Sequence, residues 1–190
     1  KWKFTTGSKI SFLDNATELD ALPQAPRAVL VAGADAASVV RQLKSLRASP
    51  RQALWPAFTD RDWSDAAKEL SDGAFEDHRP AVLAADKIAA ALAELPEDRL
   101  AESKDLRLLG FLYSRQDREL RPLRHWRHSR VWYHPLAEAM AGDSQPHVWL
   151  KNLQDKGLLA HGALLDRLRH CPKCDSPHLS FVDVCPNCRG

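Results

Sequence analysis

The chain has no cysteine before residue 171, no apolar run approaching eighteen residues, and almost no excess of charge of either sign. The first absence argues against a secreted disulfide scaffold, which would spread its cysteines along the chain. The second argues against a membrane-spanning helix. The N-terminal KWKFTTGSK has no apolar core of the kind a secretory leader needs. These features together predict a cytoplasmic location. The sequence also lacks an initiator Met and ends two residues after its last cysteine, so it reads as a piece of a longer polypeptide. Sequence patterns for a phosphate-binding P-loop, a GxGxxG turn, a GxSxG elbow and an HExxH helix are all missing, and no catalytic constellation stands out. The net charge of +2 hides a mild asymmetry: residues 1–100 sum to −2 and residues 101–170 to +4. That bias permits a nucleic-acid partner and does not require one.

What is present reads first as alternating strands and helices. Lys9–Leu13 alternates weakly, and Ala28–Ala32 is a short apolar run of the kind found in strands covered on both faces. Asp35 is a candidate N-cap for a helix over 36–47, with Val39, Val40, Leu43 and Leu46 on its buried face. Ala53–Phe58 reads as an edge strand because of Pro56, followed by a helix over Trp63–Leu70 with Gly73 as its cap. An Ala-rich helix spans Pro80–Leu95 and stops at Pro96. This order predicts an α/β layer with parallel strands over residues 1–100.

Composition changes after about residue 98. Arg107–Tyr113 reads as a strand, and Leu120–Arg124 and Arg130–His134 as an antiparallel pair. Pro135–Ala141 and Pro146–Lys156 read as helices, the second with Val148, Trp149 and Leu153 inward and Gly157 as cap. LLAHGALLDRLRH then reads as a hairpin turning at His161–Gly162. Helix, helix and hairpin outline a winged-helix-like α+β unit over residues 101–169.

Residues 170–190 hold CPKC, ten residues, and CPNC. Two CxxC knuckles converge on one ion as a closed tetrahedron, with Zn–S distances of about 2.3 Å. Cys171, Cys174, Cys185 and Cys188 are therefore expected to form a zinc ribbon around a structural Zn²⁺. Metal binding would supply much of the ribbon's folding free energy. Two disulfides, or iron in place of zinc, are the alternative occupations. His170 and His178 read as solvated flanks.

Arg115, Arg118, Arg121, Arg124, Arg127 and Arg130 recur at every third position, with His125, Trp126 and His128 between them. One reading is an anion site, since the guanidinium fork matches phosphate oxygens. The other is a solvated, partly salt-bridged hairpin, because a period of three alternates faces on a strand. Asp60, Asp62 and Asp65 read as charges favoured at a helix N-terminus.

The stretch from FLYSR through ELRPLRHWRHSRVWYHPLAEAM to LLDRLRHCPKCDSPHLSFVDVCPNC resembles the thaumarchaeal output domain family. The resemblance covers about residues 105–190. It implies a winged-helix-like unit joined to a zinc ribbon, and a role in signal transduction alongside diguanylate cyclase domains of cyclic di-GMP signalling. AVLVAG, VVRQLKSLRASP, ALWPAFT and AAKELSDGAFED are similar to the second half of a response-regulator receiver, with Thr59 in the receiver's threonine position. Where a receiver carries its phosphate-accepting Asp this chain has Val31, Ala32 and Gly33, and Asp14 alone could mimic one of the acidic pair. The resemblance implies a degenerate receiver used as an interaction surface.

The expectation is a non-catalytic signalling module that contacts a protein partner, an attached output domain or a second copy of itself. A winged-helix DNA-binding regulator is one rival and a cyclic-dinucleotide receptor using the arginine ladder is another.

Overall fold

A computed structural model of the chain describes residues 2–6, 9–13, 25–75, 78–116, 118–125, 131–167, 169 and 171–174. Strands β1 (Trp2–Thr6) and β2 (Lys9–Leu13) precede β3 (Ala28–Val31), helix α1 (Ala36–Ala48) and β4 (Ala57–Thr59). Helices α2 (Asp65–Leu70), α3 (His78–Ala93), α4 (Glu97–Glu102) and α5 (Lys104–Ser114) follow. The rest is a short pair, β5 (Leu123–Arg124) and β6 (Trp132–Tyr133), then α6 (Pro135–Met140) and α7 (Pro146–Asp155).

The main sheet has the order β2-β1-β3-β4. Only β3 and β4 run parallel; β1 is antiparallel to both β2 and β3. The expectation of a parallel layer therefore needs correcting to a mixed sheet. Two residues between β1 and β2 suffice for a reversal, whereas a parallel return needs a crossover of about a dozen. Such a crossover exists between β3 and β4, where α1 supplies it. A parallel bridge from Thr59 to Ala74 extends the pairing beyond β4.

Local chemistry explains most element ends. Asp35 accepts from the Ser38 N–H at 2.7 Å, and Ser38 returns a bond to the Asp35 backbone, closing a capping box at the start of α1. Pro56 has no N–H, so β4 begins after it, and its carbonyl accepts from the Val29 N–H at 2.8 Å. The strand read over Ala53–Phe58 is thus shorter and later than expected, and residues 51–54 form turns. Gly157 has φ +71 and closes α7 as predicted.

The strand read over Arg107–Tyr113 is a helix. Ser103 Oγ accepts from the Leu106 N–H at 3.3 Å and starts α5, and Leu108 and Phe111 are buried one turn apart. A short apolar run does not by itself separate a strand from a buried helix. Pro96 both ends α3's segment and begins α4, whose first turn carries Glu97 and Asp98 where the helix dipole favours them. The hairpin expected in LLAHGALLDRLRH has no strands among the described residues. Leu158, Leu164 and Leu165 are exposed there, and a two-stranded hairpin with no sheet to join is marginal in water. Val148, expected inward, is exposed, because the buried stripe of α7 runs through Trp149 and Leu153 at i, i+4.

One core draws on residues from both sides of position 100. Val29, Val31, Leu43 and Leu46 pack in the same cluster as Leu108, Phe111, Leu136 and Leu153. At its margin Lys44 Nζ donates to Glu138 at 3.0 Å, joining α1 to α6. Trp149 Nε1 donates to Asp105 at 2.7 Å and fixes α7 against the start of α5. Among the described residues no helix is long and apolar enough to cross a membrane.

Candidate functional site

The most concentrated polar chemistry inside the molecule lies where α1, the loop after α2 and the end of α5 meet. Arg47 extends the apolar stripe of α1 by one turn beyond Leu43 and is fully buried. Its Nε donates to the Leu70 carbonyl at 2.8 Å and its Nη1 to those of Ala53 (2.7 Å) and Trp55 (2.8 Å). Arg115, the C-cap of α5, donates to Asp72 through Nε at 2.7 Å and Nη2 at 3.1 Å. Its remaining donors reach Ser114 Oγ and the Leu54 and Trp55 carbonyls. Arg118 donates to the carbonyls of Lys68, Glu69 and Ser71, each at 2.8 Å, and so covers the C-terminal end of α2.

Asp72 is the shared counterion. Besides Arg115 it accepts from the Ala57 N–H at 2.8 Å and, more loosely, from Arg47 at 3.4 Å. Gly73, with φ +123, makes the backbone turn that follows it, a conformation few other residues adopt. Burial alone would raise the Asp72 carboxyl, but Arg115 and Arg47 overcome it and carry the value down to about 2. The same desolvation lowers Arg47 to about 9 despite Asp72. Arg115 is the closer partner of Asp72 and Arg47 the more distant one. The Phe111 ring lies among all three cations, with guanidinium carbons at 3.9 Å (Arg115), 4.8 Å (Arg47) and 5.5 Å (Arg118) from its centroid.

The arginine ladder is thereby divided. Arg115 is buried and Arg118 half-buried, and both donate to protein acceptors. Neither belongs to a solvated hairpin, because α5 extends to Ser114 and the β5–β6 pair starts only at Leu123. Arg121 and Arg124 lie at the surface, Arg121 within 3.9 Å of Glu119. Arg127 and Arg130 lie outside the described residues.

Arg118 and Arg121 also border an open groove of about 1510 Å³ between α2, α7 and residues 159–166. Lys68 and Lys151 add positive charge there, matched by as many acidic side chains, among them Glu69 and Glu119. The groove therefore has no strong preference for anions. Its His134 is lowered by burial, with Glu138 opposing, and its Nδ1 has no hydrogen-bond partner among the described residues.

Cys171 and Cys174 flank a turn over residues 172–174, with Cys174 exposed. The Cys171 thiol is held below its ordinary value by the Lys173 N–H first, then by the Cys174 N–H and side chain. Amide donors aimed at sulfur favour the thiolate, the form that binds metal. This half of the cysteine set thus suits a zinc ligand pair. Cys185 and Cys188 lie outside the described residues, as does Asp14. Among the described residues no group of three or more His, Cys, Asp or Glu side chains could hold a metal.

At the receiver-like positions, Gly33 faces the first turn of α1: a Cβ there would come within 2.6 Å of Ser38 Oγ and Val39 Cγ2. Thr59 is buried with its hydroxyl 3.4 Å from the Gly73 carbonyl. Asp60 accepts from Trp63 Nε1 at 2.7 Å and pairs with Arg61, so it is held locally.

Residues 96–190 match the family model described as thaumarchaeal output domain 1. The chain belongs to that family. No curated protein and no solved structure matches it. Thaumarchaeal output domain 1 is by name a signalling-associated part, attached to other domains. Here its matched stretch begins just before α4 and contains Phe111, Arg115, Arg118 and the cysteines, whereas Arg47 and Asp72 precede it. Sequence reading found the arginines but missed Arg47 and Asp72. The available signal for Arg47 was a cation four residues beyond Leu43 on an otherwise apolar helix face. For Asp72 nothing but an Asp-Gly turn marked it.

Proposed function

We infer that this chain is a non-catalytic regulatory module of a signalling protein, in which a receiver-like layer contacts an output domain that controls an attached partner. Membership in an output-domain family is the observation that carries this reading. Two features add support. The polar side chains at the receiver-like positions are engaged in local contacts, and the loop that would bear a phosphate acceptor has Gly33 packed against a capping box. A layer of that kind would serve as a contact surface. The attached partner is read as a diguanylate cyclase from the family resemblance.

Cys171, Cys174, Cys185 and Cys188 would hold one zinc ion as a closed ribbon, with no position open for substrate. The ion would fix the chain's end and supply folding free energy, while the amides at Cys171 stabilise its thiolate. The winged-helix comparison rests on α6 and α7. Comparing the cyclase activity of the full-length protein with that of a form lacking residues 1–190 tests the proposal. A changed rate or altered response is the expected result. Equal activity under all conditions, or nucleotide turnover by the isolated chain, would defeat it.

A further inference from the structure

Apart from Ser114 Oγ, every hydrogen-bond acceptor described above for Arg115 and Arg118 comes from residues 54–72, ahead of the family-matched stretch. The matched half thus presents a buried cation, Arg115, and a half-buried one, Arg118, both beside the Phe111 ring, and the carboxylate at hydrogen-bond distance from Arg115 is supplied by the other half. We propose that the Phe111–Arg115–Arg118 end of α5 is the surface through which the output half senses the preceding α/β layer, with Asp72 as the group it senses. This goes beyond the signalling reading, since it states which residues couple the two halves, whatever they transmit.

The surface fits a helix C-terminus followed by an acidic residue. The last carbonyls of α2 carry the negative end of its dipole, and Arg118 bridges three of them. Asp72 adds a full charge one residue further on and meets the Arg115 fork with both oxygens. The two sides of the contact differ in how firmly they are held. Arg47 is tied to three backbone carbonyls within the layer, so it cannot follow Asp72 outward. Arg115 sits at the C-cap of α5, where it is held by fewer backbone hydrogen bonds than a residue inside the helix. If the carboxylate charge is lost or the 71–73 loop moves, two buried guanidinium groups face each other without a counterion, and the end of α5 is the part able to yield.

Hydrogen exchange on the whole chain tests this with Asp72→Asn, which keeps the shape and removes the charge. Amides of Leu108–Ser114 should exchange about tenfold faster or more, together with residues 68–75, while the middle of α3 is unchanged. Acceleration confined to residues 53–75, or equal acceleration along the whole chain, would overturn the proposal. Should Asp72→Asn fail to fold, Arg118→Gln approaches the same coupling from the other side. Removing its three carbonyl bonds should speed exchange of the amides at 67–72 by about tenfold, by reciprocity. Unaltered exchange there would equally overturn it.

Discussion

Asp72 and Arg115 stand forty-three residues apart in sequence and meet through two hydrogen bonds, of 2.7 and 3.1 Å, with their side chains 3% and 5% exposed. Such a pair is not evidence of high stability in itself, since desolvating both ions offsets much of their attraction. Removing one member is different, because the other stays buried and uncompensated. Asp72→Ala should therefore destabilise the chain by about 3–5 kcal/mol. Arg115→Lys should cost less, about 1–3 kcal/mol, because an ammonium cannot reproduce the fork. Urea denaturation followed by circular dichroism measures both. A loss below about 1 kcal/mol for Asp72→Ala would show that the pair is not what holds this junction.

Acid should act on the same carboxylate. Its folded value near 2 lies below the ordinary 3.8, so the unfolded chain binds the proton more readily. The stabilisation is fully present above about pH 4–5 and fades as pH falls towards 2, for a total of about 2 kcal/mol. His134 adds an earlier step of the same sign: its folded value is lowered, so stability declines as pH drops below about 6.5. Unfolding free energy measured from pH 8 to 2 should fall in both windows. In Asp72→Asn the lower step should shrink.

Gly33 tests the loop that would bear a receiver's acceptor. An added Cβ meets Ser38 Oγ and Val39 Cγ2 at 2.6 Å, so either the capping box or the buried valine has to move. Gly33→Ala should cost about 1–2 kcal/mol, the range of a lost N-cap, and Gly33→Asp more. Equal thermal midpoints for Gly33→Ala and the parent would contradict the tight approach seen here.

The ribbon proposal is tested by elemental analysis of tag-free protein. One zinc per chain is expected, and Cys174→Ser or Cys185→Ser should each lose most of it. Because the thiolates must be deprotonated, metal occupancy should also fall on acidification. A metal-free, folded parent with bridged sulfurs would remove the zinc from the account.

Much of this was legible without coordinates. Asp35 capped its helix as read, Val39, Leu43 and Leu46 went inward, and Gly157 closed α7. Each depends on interactions within a few residues of the chain. Arg107–Tyr113 went wrong because RLLGFLY is apolar in both periods, and only the Ser103 cap and the burial of Leu108 and Phe111 distinguish them. The ladder of arginines was visible, but its division between interior and surface was not, since nothing in its spacing shows that α5 ends at Ser114.

Sequence alone determined the elements whose signals are local: the Asp35 cap, the Gly157 turn, and the Val39, Leu43 and Leu46 stripe of α1. Tertiary structure alone decided that Arg47, Arg115 and Arg118 would surround Phe111 and that Asp72 would be their counterion. The reason is physical. A cap or stripe is satisfied by neighbours three or four residues away, whereas a buried charge is satisfied by whichever opposite charge folding brings within reach, and chain order carries no record of that distance.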